Sequence, residues 1–189
     1  MPDDGWYVPH VAGAGSWNRN LPYIINVGSA GMYVAFLRFT NITLVMGETV
    51  NSAILTMTVS PPPNGQGGLR NFRIWGEHAV NPPPVTDSID GSNRIRTTHS
   101  KAWNPLCNAS LPVDSPDISN IIQEIINLPA WVSGAALQLF IEPVTAPGQY
   151  WVGEDGTGQA GRAVLTINGA GGGGGTSVTE APFWLFEDE

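Results

Sequence analysis

Of 189 residues only one is cysteine, Cys107, and only one is lysine, Lys101. The single thiol excludes an internal disulfide and any zinc site built on several cysteines, and Cys107 is expected as a small buried apolar residue. Eight basic side chains stand against sixteen acidic ones, a formal net charge of -8. So little positive charge cannot neutralise a phosphate backbone, and nucleic acid is not an expected partner. No apolar run approaches the roughly 20 residues that span a bilayer. The opening Met1-Pro2-Asp3-Asp4-Gly5 has neither the basic nor the apolar region of a secretory signal. Neither membrane insertion nor export is expected. Charged residues make up 13% and hydrophobic ones 42%, which in this length suits one domain with a sizeable core.

Glycine and proline are plentiful, at 23 and 16 residues, which implies many turns and few helices. The strongest local signals have period two. In 53–59, Leu55, Met57 and Val59 share one face and Ile54, Thr56 and Thr58 the other, as in a half-buried strand. Tyr33, Ala35, Leu37 and Phe39 alternate with Met32, Val34, Phe36 and Arg38; the run is apolar on both faces and is expected as a central strand. Phe72 and Ile74 point one way and Arg73, Trp75 and Glu77 the other; Leu137, Leu139, Ile141 and Ala163, Leu165, Ile167 repeat the alternation. Pro61-Pro62-Pro63-Asn64-Gly65, Asn81-Pro82-Pro83-Pro84 and Ala146-Pro147-Gly148 cannot serve a strand ladder and are loops. Short strands without alternating helices predict an all-β fold, an antiparallel sandwich of jelly-roll type.

One helix is expected within this pattern. Isoleucines 118, 121, 122, 125 and 126 follow the i, i+3, i+4, i+7, i+8 spacing of a single buried stripe, with Asp117 or Ser119 to cap the start and Pro129 to end it. The last part of the chain has another character. A glycine run at 171–175 reads as a spacer, and after it Phe183, Trp184, Leu185 and Phe186 stand beside three acids, Glu187, Asp188 and Glu189. Four large apolar residues at a terminus read as a docking peptide. The expected layout is an N-terminal arm over 1–20, the sandwich over 21–168 and a glycine-rich linker with docking peptide over 169–189.

Several segments in order carry a family resemblance. Leu37-Arg38-Phe39-Thr40-Asn41-Ile42 is followed by Met46-Gly47-Glu48-Thr49-Val50-Asn51-Ser52-Ala53-Ile54-Leu55, then Arg73-Ile74-Trp75-Gly76-Glu77, Arg94-Ile95-Arg96-Thr97-Thr98, Ala102-Trp103-Asn104-Pro105 and Leu128-Pro129-Ala130-Trp131. Over roughly 23–167 the chain resembles the β-sandwich modules called DNRLRE-like. The resemblance implies a non-enzymatic jelly-roll-like sandwich, found as a carbohydrate-binding or adhesive module in bacterial surface proteins and in phage particle proteins.

Chemistry-bearing constellations are sparse. His10, His78 and His99 fall in different segments, with no metal-binding or nucleophile spacing among them. Glu77 and His78, as strand neighbours, are expected on opposite faces and so not in one site. Glu77, Asp87, Asp90, Glu142, Glu154 and Asp155 are the carboxylates from which a glycosidase pair would have to come, and sequence does not set their separation. Asp87 with Asp90, or Glu154 with Asp155, offers oxygen ligands to calcium without the regular EF-hand pattern; no other cofactor is expected. Trp75, between Arg73 and Glu77, suits a sugar platform or a subunit contact, and Tyr150 and Trp151 are further candidates for stacking on sugar. The expectation is a structural protein of a phage-like particle, a head-decoration or tail component located in the virion. Its expected partners are copies of itself, as a trimer by analogy, and a capsid or tail protein; the alternative is a module that binds polysaccharide.

Overall fold

The computed structural model describes residues 4–7, 17–18, 26–27, 31–32, 34–59, 71–106, 111–144, 163–170 and 176–179. The strands are β1 (Asp4–Tyr7), β2 (Trp17–Asn18), β3 (Asn26–Val27), β4 (Gly31–Met32), β5 (Val34–Ile42), β6 (Val50–Val59), β7 (Phe72–Glu77), β8 (Arg96–Trp103), β9 (Leu111–Asp114), β10 (Ala135–Pro143), β11 (Val164–Gly169) and β12 (Thr176–Thr179). The helices are α1 (Ser88–Asn93) and α2 (Ser119–Ile126). Among the described residues the strands form a six-stranded sheet in the order β2-β1-β5-β10-β7-β8, a four-stranded sheet in the order β12-β11-β6-β9, and a β3-β4 ribbon. All pairings are antiparallel. From β5 to β11 the chain crosses repeatedly between the two larger sheets, so the fold is the all-β sandwich expected from the period-two pattern.

The alternation sorts side chains as expected. Ala35, Leu37 and Phe39 of β5 meet Leu137, Leu139 and Ile141 of β10, Phe72 and Ile74 of β7, Leu55 and Met57 of β6, and Leu165 and Ile167 of β11 in one core between the sheets. Ile54 and Thr56 are half-buried on the far face of β6. Val34 and Phe36, on the other face of β5, join Phe140 and Val85 in a second, smaller cluster. This is why β5 reads as apolar on both sides, and why Gln138 and Phe140 of β10 are buried as fully as Leu137 and Leu139: each sheet face has its own cover.

The isoleucine stripe forms α2, and Ile118, Ile121, Ile122, Ile125 and Ile126 are all buried. Asp117 acts at its start from one position earlier than a regular cap. Its Oδ1 accepts from the Ser119 N–H at 3.0 Å and from the Ala53 N–H at 2.9 Å. The helix packs on β6, β7 and β8 and so closes one side of the sandwich. It also finishes the edge of β6 beyond β9: Gln123 Oε1 accepts from Val50 N–H, and Ser115 Oγ from Leu55 N–H, leaving fewer open ladder groups for another strand.

Three features depart from the sequence reading. A second helix, α1, follows the proline run; Asp87 caps it by accepting from the Asp90 N–H at 2.8 Å, while Asp90 reaches back to the Thr86 N–H. The Asp-x-x-Asp spacing is that of a reciprocal cap, whereas the sequence reading took Asp87 and Asp90 only as oxygen ligands or members of a catalytic pair. Within the expected N-terminal arm, β1 pairs with β5 and with β2. Beyond the expected boundary at 168, β12 pairs with β11, from Val164↔Thr179 to Ile167↔Thr176. The sheet therefore continues to Thr179, past the boundary expected at 168. Serine and threonine in Thr176–Thr179 carry no apolar alternation, so only pairing reveals them as a strand.

Candidate functional site

The outer face of the six-stranded sheet gathers side chains from four strands. In register across it, Arg38 of β5 lies opposite Gln138 of β10, Phe140 of β10 opposite Trp75 of β7, Glu142 opposite Arg73, and Trp75 opposite Ser100 of β8. The expected sharing of a face by Arg73 and Trp75 holds: Arg73 is exposed, with its guanidinium carbon 5.7 Å from the Trp75 ring centre. Arg96 lies over Phe140 at 3.5 Å and donates from Nε to Glu142 Oε1 at 3.1 Å. Four of the chain's eight basic residues, Arg38, Arg73, Arg94 and Arg96, stand on or beside this face. Cation–π contacts there hold aromatic rings under guanidinium groups.

A strap of 81–85 crosses the face. Arg38 Nε donates to Pro82 O at 2.7 Å, Arg94 donates to Pro83 O and Pro84 O, and Val85 joins the cluster of Val34, Phe36 and Phe140 against which Trp75 packs. At the bulge in β10, the Ala136 N–H is turned out of the ladder and donates to Asn81 Oδ1 at 3.0 Å. Asn81 adopts φ 48 to make this contact, a conformation asparagine tolerates better than most residues. Under this cover the two ends of the Gln138 amide and the Trp75 indole N–H are buried without hydrogen-bond partners. Such groups cost free energy unless something pairs them.

Glu77 does not stay with Arg73 and Trp75 as an open polar rim. A bulge between Trp75 and Glu77 shifts the register on β8. Glu77 is 4% exposed, and Arg94 Nη1 donates to its carboxylate at 3.0 and 3.2 Å. Burial pushes its carboxyl above the ordinary range; hydrogen bonding and charge from Arg94, and charge from Arg96, offset only part of this, while Asp90 adds to the rise. Asp90 is held below the ordinary range by its Arg94 hydrogen bond. The Asp87–Asp90 pair, read as a source of calcium ligands, is thus engaged in a helix cap and an arginine clamp, and no group of three metal-ligating side chains occurs among the described residues.

The histidines that sequence separates are joined by α2. Glu124 Oε1 lies 3.1 Å from His78 Nδ1 and accepts from the Thr98 N–H, while Oε2 lies 2.7 Å from His99 Nδ1 and accepts from the His99 N–H and the Thr98 hydroxyl. Partial burial would push this carboxyl up, but the donors from His99 and Thr98 outweigh it and hold it down at about 2. An ionised Glu124 thus ties α2 to β8 and to the end of β7. Sequence reading missed it because nothing in the isoleucine stripe marks Glu124 as facing two histidines.

Tyr150 and Trp151, the Glu154–Asp155 pair, Cys107 and the docking residues Phe183, Trp184, Leu185 and Phe186 lie outside the described residues. Compared with known protein families, curated proteins and solved structures, the chain matches none.

Proposed function

We propose that the chain is a non-enzymatic structural module of a phage-like particle, a head-decoration or tail component, joined to copies of itself and to a capsid or tail protein through its terminal segments. The observation that carries this reading is the placement of the terminal strands. With α2 on β6, β7 and β8, and β12 against β5, the strands β1, β2 and β12 fall on the side of the sandwich away from the helix. The described strands nearest both chain ends thus lie on one side of the body, and α2 covers the other. Titratable groups in perturbed environments, Glu77 and Glu124 among them, serve the scaffold, which suits a rigid body better than a reaction centre. In this reading the body sets spacing and the residues past Thr179 supply adhesion, their tether raising the local concentration of Phe183 to Phe186 near a partner.

A second reading, adhesion to polysaccharide, is favoured by the half-buried Trp75 ring beside an exposed Arg73. One pair of measurements separates the two. Replacing Phe183, Trp184, Leu185 and Phe186 with serine in the full chain is expected to abolish association, read by light scattering and by incorporation into particles, while leaving the melting temperature unchanged. Normal incorporation of that variant sinks the structural reading. Binding on a broad glycan panel that disappears in Trp75→Ala promotes the polysaccharide reading, and silence across the panel removes it.

A further inference from the structure

The end of the sandwich that carries the β5–β6 turn exposes apolar side chains on a braced frame. Val45 is 55% exposed, Met46 57% and Val132 61%. The turn that presents Val45 and Met46 closes through Glu48 N–H to Val45 O at 3.1 Å, with Gly47 at φ 77 as its third residue, where an L side chain is disfavoured. The Glu48 carboxylate accepts from the Val45 N–H, and Gln123 Nε2 of α2 donates to Glu48 O at 2.8 Å. The segment bearing Val132 is fastened to the same turn by three bonds: Trp131 Nε1 to Leu44 O, Ser133 Oγ to Thr43 O and Gly134 N–H to Ile42 O. A second turn, Leu128 to Trp131, holds Ala130 at φ 75, a left-handed conformation unusual for a residue with a Cβ. Apolar residues held out on a fixed frame lose little conformational entropy when covered, which distinguishes a docking tip from a loose loop.

We propose that this tip is the acceptor for the Phe183–Phe186 segment of a second copy of the chain, so that copies join head to tail. The inference rests on the terminal-segment reading above and adds the surface that receives the segment. Strand register excludes the chain's own tail from supplying it through its first aromatic residues. Thr179 pairs with Val164, which pairs with Thr56, six positions along β6 from Val50 and therefore about 20 Å from the strand's start, with the turn beyond it. Phe183 and Trp184 lie four and five residues beyond Thr179, at most about 14 and 18 Å away even fully extended. β12 itself ends at Thr179, on the end of the sandwich opposite the tip, so the next copy's tip can be offered to the residues that follow it. Three aromatic side chains at about 150–250 Å² each, with matching acceptor area, bury around 1,000 Å². That is the lower limit for a specific interface, so the contact is expected to depend on concentration. Because donor and acceptor surfaces differ, the association is heterologous and grows into rings or rows instead of stopping at a two-fold dimer.

Complementation between two full-length variants tests this directly. One variant carries Phe183→Ser with Trp184→Ser and keeps the tip; the other carries Met46→Glu with Val132→Glu and keeps the tail. Thermal melting of each against the unaltered chain confirms folding, since all the replaced tip residues are exposed. Sedimentation at several concentrations is expected to show a growing mass for the unaltered chain, monomers for each variant alone, and a one-to-one heterodimer, with nothing larger, on mixing. A mixture that stays monomeric overturns the proposal, as does an unaltered chain that stays monomeric. If the tip variant associates like the unaltered chain while the tail variant does not, the tail docks elsewhere: the proposal falls and the terminal-segment reading stands. If the tail variant associates normally, both fall.

Discussion

Arg94 joins three parts of the fold through one guanidinium: Glu77 at the end of β7, Asp90 in α1, and the carbonyls of Pro83 and Pro84 in the strap. The Asp90 hydrogen bond, with those from Glu77, outweighs burial and raises the guanidinium above its ordinary range, so it stays charged at any pH of interest. Removing it strands a buried carboxylate. Arg94→Met is expected to destabilise the chain by about 3–5 kcal/mol at neutral pH, the usual cost of breaking a buried pair from one side. The sign with pH follows from Glu77, whose folded-state affinity for a proton is already raised. As pH falls the stranded carboxyl protonates and the penalty shrinks, and adding Glu77→Gln recovers part of it at pH 7. Urea denaturation at pH 7 and pH 5 reads both effects; a penalty independent of pH shows that Glu77 is not its source. In the sequence, Arg94 was legible only as the first residue of a segment in the family resemblance, because its three contacts come from segments 4 to 17 residues away.

At the scale of elements, the seat of α2 on β7 depends on a missing side chain. A Cβ on Gly76 would stand 2.7 Å from Ile125 Cδ1 and 2.8 Å from Ile121 Cγ2, closer than packed carbons come. The Gly76 N–H also donates to the buried Thr97 Oγ1 at 2.9 Å, so the strand cannot easily back away. Gly76→Ala is expected to cost about 1–3 kcal/mol by overpacking. Ile125→Val, which removes the nearest methyl, is expected to cost less in that background than in the unaltered chain. Additive costs in denaturation experiments rule out this clash as the cause. The helix itself was legible, since its stripe has the right period and every isoleucine in it is buried. Its partner was not, because Gly76 in an alternating strand signals a close approach without saying by what.

For the whole molecule, α2 acts as a bolt between the sheets. Gln123 and Asp117 bind β6, whereas Glu124 binds β8. With its folded pKa at about 2, below an ordinary 4.5, the Glu124 carboxyl contributes stability that is fully present above the unfolded value and is lost as pH falls toward the folded one. Glu124→Gln is expected to destabilise the sandwich by about 1–3 kcal/mol at neutral pH. The gap in melting temperature to the unaltered chain should narrow below about pH 5 and close near pH 2. A gap that persists at low pH would mean that packing, not charge, accounts for the loss.

The amino-acid sequence by itself determined the class of fold and the facing of most strands. Alternation is a property of each segment alone, and Leu55 with Met57 has only one face to bury. It also placed the proline strap and the isoleucine helix. Tertiary structure decided what those segments meet: that the strap's Val85 joins the cluster against which Trp75 packs, that His78 and His99 converge on Glu124, and that Val45, Met46 and Val132 share one tip. Local periodicity reports which side of an element is buried, whereas sites arise from residues far apart in the chain, whose approach is set by strand order and register.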